Sequence, residues 1–435
     1  MKFKTHIFTI LFGLFVIGMQ GQQTPAPKQS SAIAIVGATA HIGNGSVIEN
    51  SLIIFKDGKI ETIVDGSLVK MDLNGMTVIP ASGKHVYPGF IVPNSTLGLV
   101  EIDAVRATDD EDEIGPLNPN IRSIIAYNTE SKVVESMRPN GVLLAQVTPR
   151  GGRISGTSSI VQLDAWNWED AAIKTDDGIH LNWPSLFTRG RWWLGEDPNL
   201  KPNDNYEKQL NDLSNFIKES KAYNSSNTNA PNLKLEAMEG LFNKNKTLFI
   251  HANGEKAITD AVNFSKQHGV SKTVIVGGDG AQHIGPFLKS NNISVLLNRV
   301  HRTPSSDDDD YDLPFKMAKL LVDQGITVGL ETSGQMERMN SRNLPFYAGT
   351  AAAYGLTKEQ ALQLITLNTA TILGIENNYG SLEVGKSATL FISEGDALDM
   401  RTNILSHAFI DGRQISLETH QTKLWKRYSK KYESN

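Results

Sequence analysis

Short apolar runs recur along the 435-residue chain, and the residues between them sort the runs into two kinds. Near both ends the spacers are tight turns. Ser51-Leu52-Ile53-Ile54-Phe55-Lys56 runs into Asp57-Gly58 and resumes as Lys59-Ile60-Glu61-Thr62-Ile63-Val64. Asp-Gly between two strand-forming runs predicts a hairpin, because both central positions favour φ > 0. The same grammar returns at Ala408-Phe409-Ile410, Asp411-Gly412 and Arg413-Gln414-Ile415, and residues 388–393 add another apolar strand. A lone hairpin is marginal in water. The two distant groups, residues 32–85 and 380–417, are therefore expected to share one small β-sandwich domain. Two separate β caps are the alternative.

Between these arms, strands alternate with helices. Residues 142–147, 159–163, 248–250, 273–276, 293–297 and 326–330 read as near-continuous apolar strands. A helix over about 256–268 has Ala257, Ile258, Ala261 and Val262 along one side, with Gly269 as the residue that ends it. Thr357 and Gln360 predict a capping box. Apolar strands separated by helices predict a parallel sheet covered on both faces. The fold class is α/β, a distorted (β/α)8 TIM-like barrel, with an open doubly wound sheet as the alternative. The fourth strand is not found, since residues 206–223 read as helix and 224–232 as polar linker.

Composition narrows the function classes. Hydrophobic residues make up 40% and charged residues 20%, as in ordinary globular chains, and a formal charge of -5 offers nucleic acid no electrostatic footprint. No glycine-rich stretch ends in Gly-Lys-Ser/Thr, so a phosphate cradle is unsupported. The absence of cysteine excludes disulfides, thiolate metal sites and a lipid-acceptor thiol. Lys2, Lys4 and the apolar stretch 7–17 read as an export signal over residues 1–21, too short for a stable membrane anchor. Residues 22–31 read as a flexible leader. The mature chain is expected in a bacterial periplasm or outside the cell.

Two longer motifs carry a resemblance. Val86-Tyr87-Pro88-Gly89-Phe90-Ile91-Val92-Pro93-Asn94-Ser95-Thr96 resembles the opening of the amidohydrolase superfamily, where Pro-Gly-Phe-Ile-Asp leads into His-x-His. Gly355-Leu356-Thr357-Lys358-Glu359-Gln360-Ala361-Leu362, then Ile365-Thr366-Leu367-Asn368-Thr369-Ala370, Ile372-Leu373-Gly374-Ile375 and Gly380-Ser381-Leu382-Glu383-Val384-Gly385-Lys386, is similar to the closing signature of its imidazolonepropionase-like and prolidase-like branch. The resemblance covers about residues 32–415. It implies a barrel over residues 86–379, with an insertion at about 165–232, beside a β-sandwich built from both chain ends. Residues 418–435 remain as a tail. It also implies hydrolysis at a metal centre and places the ligands. Asn94 and Thr96 stand at the two histidines, and Val92 at the acidic position. His251 fits the ligand at the end of the fifth strand. The sixth strand ends in Gly277-Gly278-Asp279-Gly280, with His283 beyond. Ser333 stands where the last strand's aspartate belongs, with Glu331 two residues earlier. Residues 162–168 contain no lysine for a bridging position.

Hydrolytic zinc usually takes about three protein ligands and an open position for water. His251 is the only clearly retained ligand position; a carboxamide and two hydroxyls lack the charge and basicity of the groups they replace. No cofactor is expected, and zinc or another divalent cation belongs to the alternative of a rearranged site. His251, Asp279, His283, Arg299, His301 and Glu331 all fall at or just after strand ends. At least three could share one cleft, with His251, Asp279, His301 and Glu331 as catalytic candidates, or each could be an ordinary loop residue. The acidic runs at residues 109–113 and 307–310 read as solvated loops or a calcium-type site. Trp166, Trp168, Trp183, Trp192 and Trp193 pin the insertion or recognise a ligand. Residues 151–156, rich in glycine, offer backbone donors to an anion or a tight turn. The function expected is that of a divergent amidohydrolase-like protein without the usual metal-dependent hydrolysis. It would bind a small molecule or short peptide in the barrel cleft, or associate with itself or a catalytic homologue. The alternative is an active hydrolase of amide, peptide or cyclic-amide C–N bonds.

Overall fold

Both Asp-Gly turns form, and they touch each other. In the computed structural model, which describes residues 24–225, 230–334 and 336–433, β1 (Ile33–His41) pairs with β2 (Val47–Lys56), and β2 with β3 (Lys59–Asp65). The turn between β2 and β3 holds Asp57 at φ 49° and Gly58 at φ 79°. β4 (Thr77–Pro80) and β5 (His85–Pro88) run beside β1. From the other end of the chain, β16 (Leu390–Ser393) pairs with β5, and β17 (Leu405–Ile410) turns through Asp411 and Gly412 into β18 (Arg413–Gln414). All eight strands form one sheet. Phe55 and Phe409, from opposite ends of the sequence, meet edge to face at 5.1 Å in its core. The Gly412 N–H donates to the Ala388 carbonyl (3.0 Å), and the Ala388 N–H to that of Gly58 (2.8 Å).

A second eight-stranded sheet makes the barrel. It runs in order through β6 (Phe90–Ser95), β7 (Val142–Val147), β8 (Ile154–Gln162), β9 (Ala172–Asn182), β12 (Thr247–Ala252), β13 (Thr273–Gly277), β14 (Ser294–Leu297) and β15 (Val328–Leu330). Residues 364 and 365 bridge its first and last strands: Ile91 N–H donates to Ile365 O (3.0 Å) and Leu330 N–H to Leu364 O (3.2 Å).

The all-parallel expectation needs one correction, because β8 is antiparallel to both β7 and β9. Only six residues, 148–153, separate β7 from β8, too few for the helical crossover that parallel neighbours require. Gly151 (φ 76°) and Gly152 (φ 58°) make this the tight turn. The missing fourth strand is β9. Its Asp176-Asp177-Gly178 reads as a turn in sequence, yet Gly178 sits inside the strand because the Phe249 ring lies against its backbone.

Parity explains how the barrel positions its site. Ile91, Leu144, Ile160, Phe249 and Leu296 pack inside the barrel against the helix Leu367–Leu373. Side chains two residues apart share a strand face. The next interior layer is therefore Gln146, His251 and Asn298, two residues after their apolar partners. On antiparallel β8 it is Ser158, two residues before Ile160. An apolar plug thus underlies a polar mouth.

Around this frame, Trp183 is buried and its Nε1–H donates to the Tyr206 hydroxyl (3.1 Å), whereas Trp166, Trp192 and Trp193 are exposed. The ribbon of β10 (Phe187–Arg189) and β11 (Leu200–Pro202) and the helix Tyr206–Asn224 complete the insertion. Residues 24–31, expected to be a flexible leader, are tied down: Ala26 N–H donates to Asp164 Oδ2 (2.9 Å), and Gln29 Nε2 to Phe55 O (2.9 Å). The tail carries a helix, His420–Ser429, capped by Thr419. Among the described residues no helix is long and apolar enough to cross a membrane. The export-signal reading lies outside the described residues.

Candidate functional site

The polar layer opens into a cavity of about 350 Å³ at the carboxyl ends of the strands. Asn94, at the end of β6, adopts the left-handed conformation (φ 50°), which asparagine tolerates better than most residues. Every polar atom of Asn94 is engaged. Its N–H donates to Gln146 Oε1 (3.1 Å), and its side-chain Nδ2 donates to Glu331 Oε2. Arg150 donates from Nη1 to Asn94 Oδ1 (2.9 Å) and from Nη2 to Asn94 O (2.8 Å). Glu337 Oε2 accepts from the Thr96 N–H (3.0 Å) and Oγ1 (2.8 Å), and the same oxygen lies 3.8 Å from Arg150 Nη2. Arg338 closes the rim by pairing with Asp103 at 2.6 Å.

Burial governs the titrating groups. Glu331 is 1% exposed and its Oε1 has no hydrogen-bond partner. Desolvation pushes its carboxyl up to about 7, only partly offset by Ser333, Asn94 and Arg150. His251 keeps one edge on the cavity but is otherwise enclosed; burial, then the Arg150 charge, lowers it to about 3. His180, fully buried behind it and stacked on Phe249, is lowered well below the usual histidine range by the same two causes and by His251. Both imidazoles are neutral at physiological pH.

The six sequence candidates separate. His251 lines the mouth with Asn94, Thr96 and Ser333, and Glu331 lies buried beneath it, accepting from Asn94 Nδ2. Asp279 and His283 belong to a neighbouring cavity of about 390 Å³, where Asp279 binds Arg302 and accepts from Ser305 Oγ (2.7 Å). One link joins the two places: Ser333 Oγ donates to Asn298 Oδ1 (3.1 Å), and Asn298 Nδ2 to Asp279 Oδ1 (3.1 Å). His301 lies elsewhere, bonded to Thr350 Oγ1 (2.7 Å) on a surface groove, so it does not pair with Glu331 as acid and base. The Arg299 guanidinium borders Gly334. Each acidic run is paired in part, Asp112 with Arg106 (3.2 Å) and Asp310 with Lys316. Sequence reasoning missed Arg150, His180 and Glu337. Arg150 was detectable in principle, because it follows the second barrel strand at the face where such folds place their chemistry.

The donor set is a poor match for a hydrolytic divalent ion. Asn94 and Thr96 are committed to protein partners, His251 Nε2 is bonded to His180 Nδ1 (2.9 Å), and a guanidinium carrying permanent charge stands among them. Among the described residues no group of three or more His, Asp or Glu side chains is arranged to hold a metal.

The barrel with its polar mouth, and the second sheet shared by both chain ends, give the chain an amidohydrolase-like fold. Residues 205–415 match the amidohydrolase family. Imidazolonepropionase of Flavobacterium psychrophilum is 28% identical over 110 residues, a stretch covering 24% of this chain and 27% of that enzyme. The 5'-deoxyadenosine deaminase of Methanobrevibacter smithii is 24% identical over 382 residues, 81% of each chain. The crystal structure of an amidohydrolase from Thermotoga maritima superposes with a TM-score of 0.76 at 21% identity, covering 88% of this chain and 99% of that one.

Proposed function

We propose that the barrel mouth is a binding site for a small zwitterionic or polar-amide ligand, such as an amino acid or short peptide, and that it works without a hydrolytic metal. The observation that carries this reading is the Arg150 clamp. Arg150 spends one donor each on the Asn94 side chain and backbone, and the guanidinium has further N–H groups on the cavity it lines. The mouth also holds Glu111 and Glu337, so its charges are mixed and suit a ligand bearing both signs, or a neutral amide, better than a simple anion. The test is a calorimetric panel of amino acids and dipeptides against the protein in chelator. Saturable binding that survives chelation and is lost in Arg150→Gln is the expected result. Zinc-dependent turnover of a dipeptide or lactam would overturn it.

Glu331 favours a second reading, hydrolysis of an amide, peptide or cyclic-amide C–N bond. A carboxyl held near 7 can take up and release a proton at neutral pH. The names of the imidazolonepropionase and deaminase relatives point the same way. Chelator-resistant turnover abolished by Glu331→Gln is what that reading requires.

A further inference from the structure

The hydrogen-bond directions beneath the mouth can be traced from a backbone amide. The Asn94 N–H can only donate, so the oxygen of the Gln146 carboxamide faces it (3.1 Å) and the nitrogen faces the other way. That Nε2 donates to Asp177 Oδ2 (2.8 Å) and approaches Ser158 Oγ (3.3 Å). Ser158 has one proton. Its two further neighbours are Asp177 Oδ1 (2.7 Å) and the Gly178 carbonyl (3.2 Å), and the carbonyl can only accept. Asp177 Oδ1 is the nearer of the two and, as a carboxylate that also accepts from Gln146, the stronger acceptor; with the Ser158 proton on it, the lone pairs of Ser158 Oγ are left for His180 Nε2 at 3.0 Å, which then carries a hydrogen. His180 is neutral, so its Nδ1 has none and accepts from His251 Nε2 at 2.9 Å. His251 is neutral as well, which strips its Nδ1 of a proton.

We propose that the buried relay Asp177–Ser158–His180 fixes His251 as the Nε2–H tautomer, so that the mouth presents a hydrogen-bond-accepting nitrogen beside the Arg150 guanidinium and selects ligands carrying an N–H or O–H donor next to an acceptor. Ser158 and His180 are positioning residues: they lie behind His251 and do not face the cavity. A donor set and an acceptor fixed side by side discriminate by leaving one of the site's own groups unpaired when the ligand lacks its complement. This inference deepens the ligand-binding reading and rests on it.

The experiment is nitrogen NMR on the full chain with ¹⁵N-labelled histidine rings, assigned by His180→Gln and His251→Gln. In the unmodified protein, His251 is expected to show a protonated Nε2 and an unprotonated Nδ1. Ser158→Ala removes the acceptor for His180 and is expected to move or average the His251 pattern, and Ser158→Thr to restore it. Protonation of His251 on Nδ1 in the unmodified protein would overturn the relay, as would an unchanged His251 pattern in a folded Ser158→Ala variant. The two readings fail separately. If His251 carries Nδ1–H while amino acids still bind through Arg150, the relay is wrong and the binding reading stands. If zinc-dependent turnover appears, the binding reading falls whatever the tautomer.

Discussion

Glu331 makes the electrostatics of the mouth measurable. Its carboxyl ordinarily ionises near 4.5 and is raised to about 7 in the folded chain. Between those values the folded state holds a proton that the unfolded state has lost. The stabilising contribution is therefore complete below about 4.5 and disappears as pH rises through 7. Glu331→Gln keeps the acceptor for Asn94 and removes the titration. Relative to the unmodified protein, the variant is expected to gain stability between pH 5 and pH 8, by about 3 kcal/mol at most. Urea unfolding of both proteins at the two pH values checks it; a difference independent of pH would contradict the assignment. The neutral histidines His180 and His251 act in the opposite sense, losing stability as pH falls below 6.5, but they are common to both proteins and cancel in the comparison. At this scale the sequence revealed His251 and Asn94, because each ends an apolar strand and falls on a family motif. His180 stayed hidden because its strand was not recognised. Glu337 stayed hidden because it reaches the mouth from a helix beyond the last barrel strand.

Among the elements, the hairpins were the most legible, since Asp-Gly carries its own backbone geometry. The antiparallel β8 was less so. Periodicity reports which residues face inward, not which way a strand runs, and only the six-residue β7–β8 spacer contains the direction. The contact between the two Asp-Gly turns was invisible, because it joins positions more than three hundred residues apart. It has a consequence for Gly58. A Cβ there would lie 3.0 Å from the Asp411 carbonyl oxygen, while one at Gly75, with the same φ of 79°, would meet nothing within 4 Å. Valine at either site strains the left-handed backbone by about 1–3 kcal/mol. Gly58→Val is expected to cost more than Gly75→Val because it also forces the two turns apart. Equal shifts in thermal midpoint would argue against the turn contact.

For the molecule as a whole, Asp164 joins parts that the sequence keeps apart. It is 2% exposed and follows β8. Its carboxylate meets Arg138 Nη1 at 3.2 Å and Arg413 Nη1, from the C-terminal arm, at 2.9 Å, and it accepts from the Ala26 N–H. Removing it leaves two partly or fully buried guanidiniums without their partner. Asp164→Ala is expected to destabilise the chain by about 3–5 kcal/mol in urea unfolding. A loss below about 1 kcal/mol, the range of an exposed pair, would show that the arms are held by apolar packing alone. The family and barrel were legible at this scale because long motifs and apolar strands survive in the chain. The mouth was not, because its charges come from loops and a helix far apart in sequence.

The claim that Arg150 and its partners replace metal chemistry is tested most directly by calorimetric zinc titration of metal-free protein, unmodified and His251→Ala. The account predicts weak binding that the His251 change leaves untouched, since Asn94 is bonded to Arg150 and Glu331, and Thr96 to Glu337. Tight one-to-one binding that disappears in His251→Ala would contradict it.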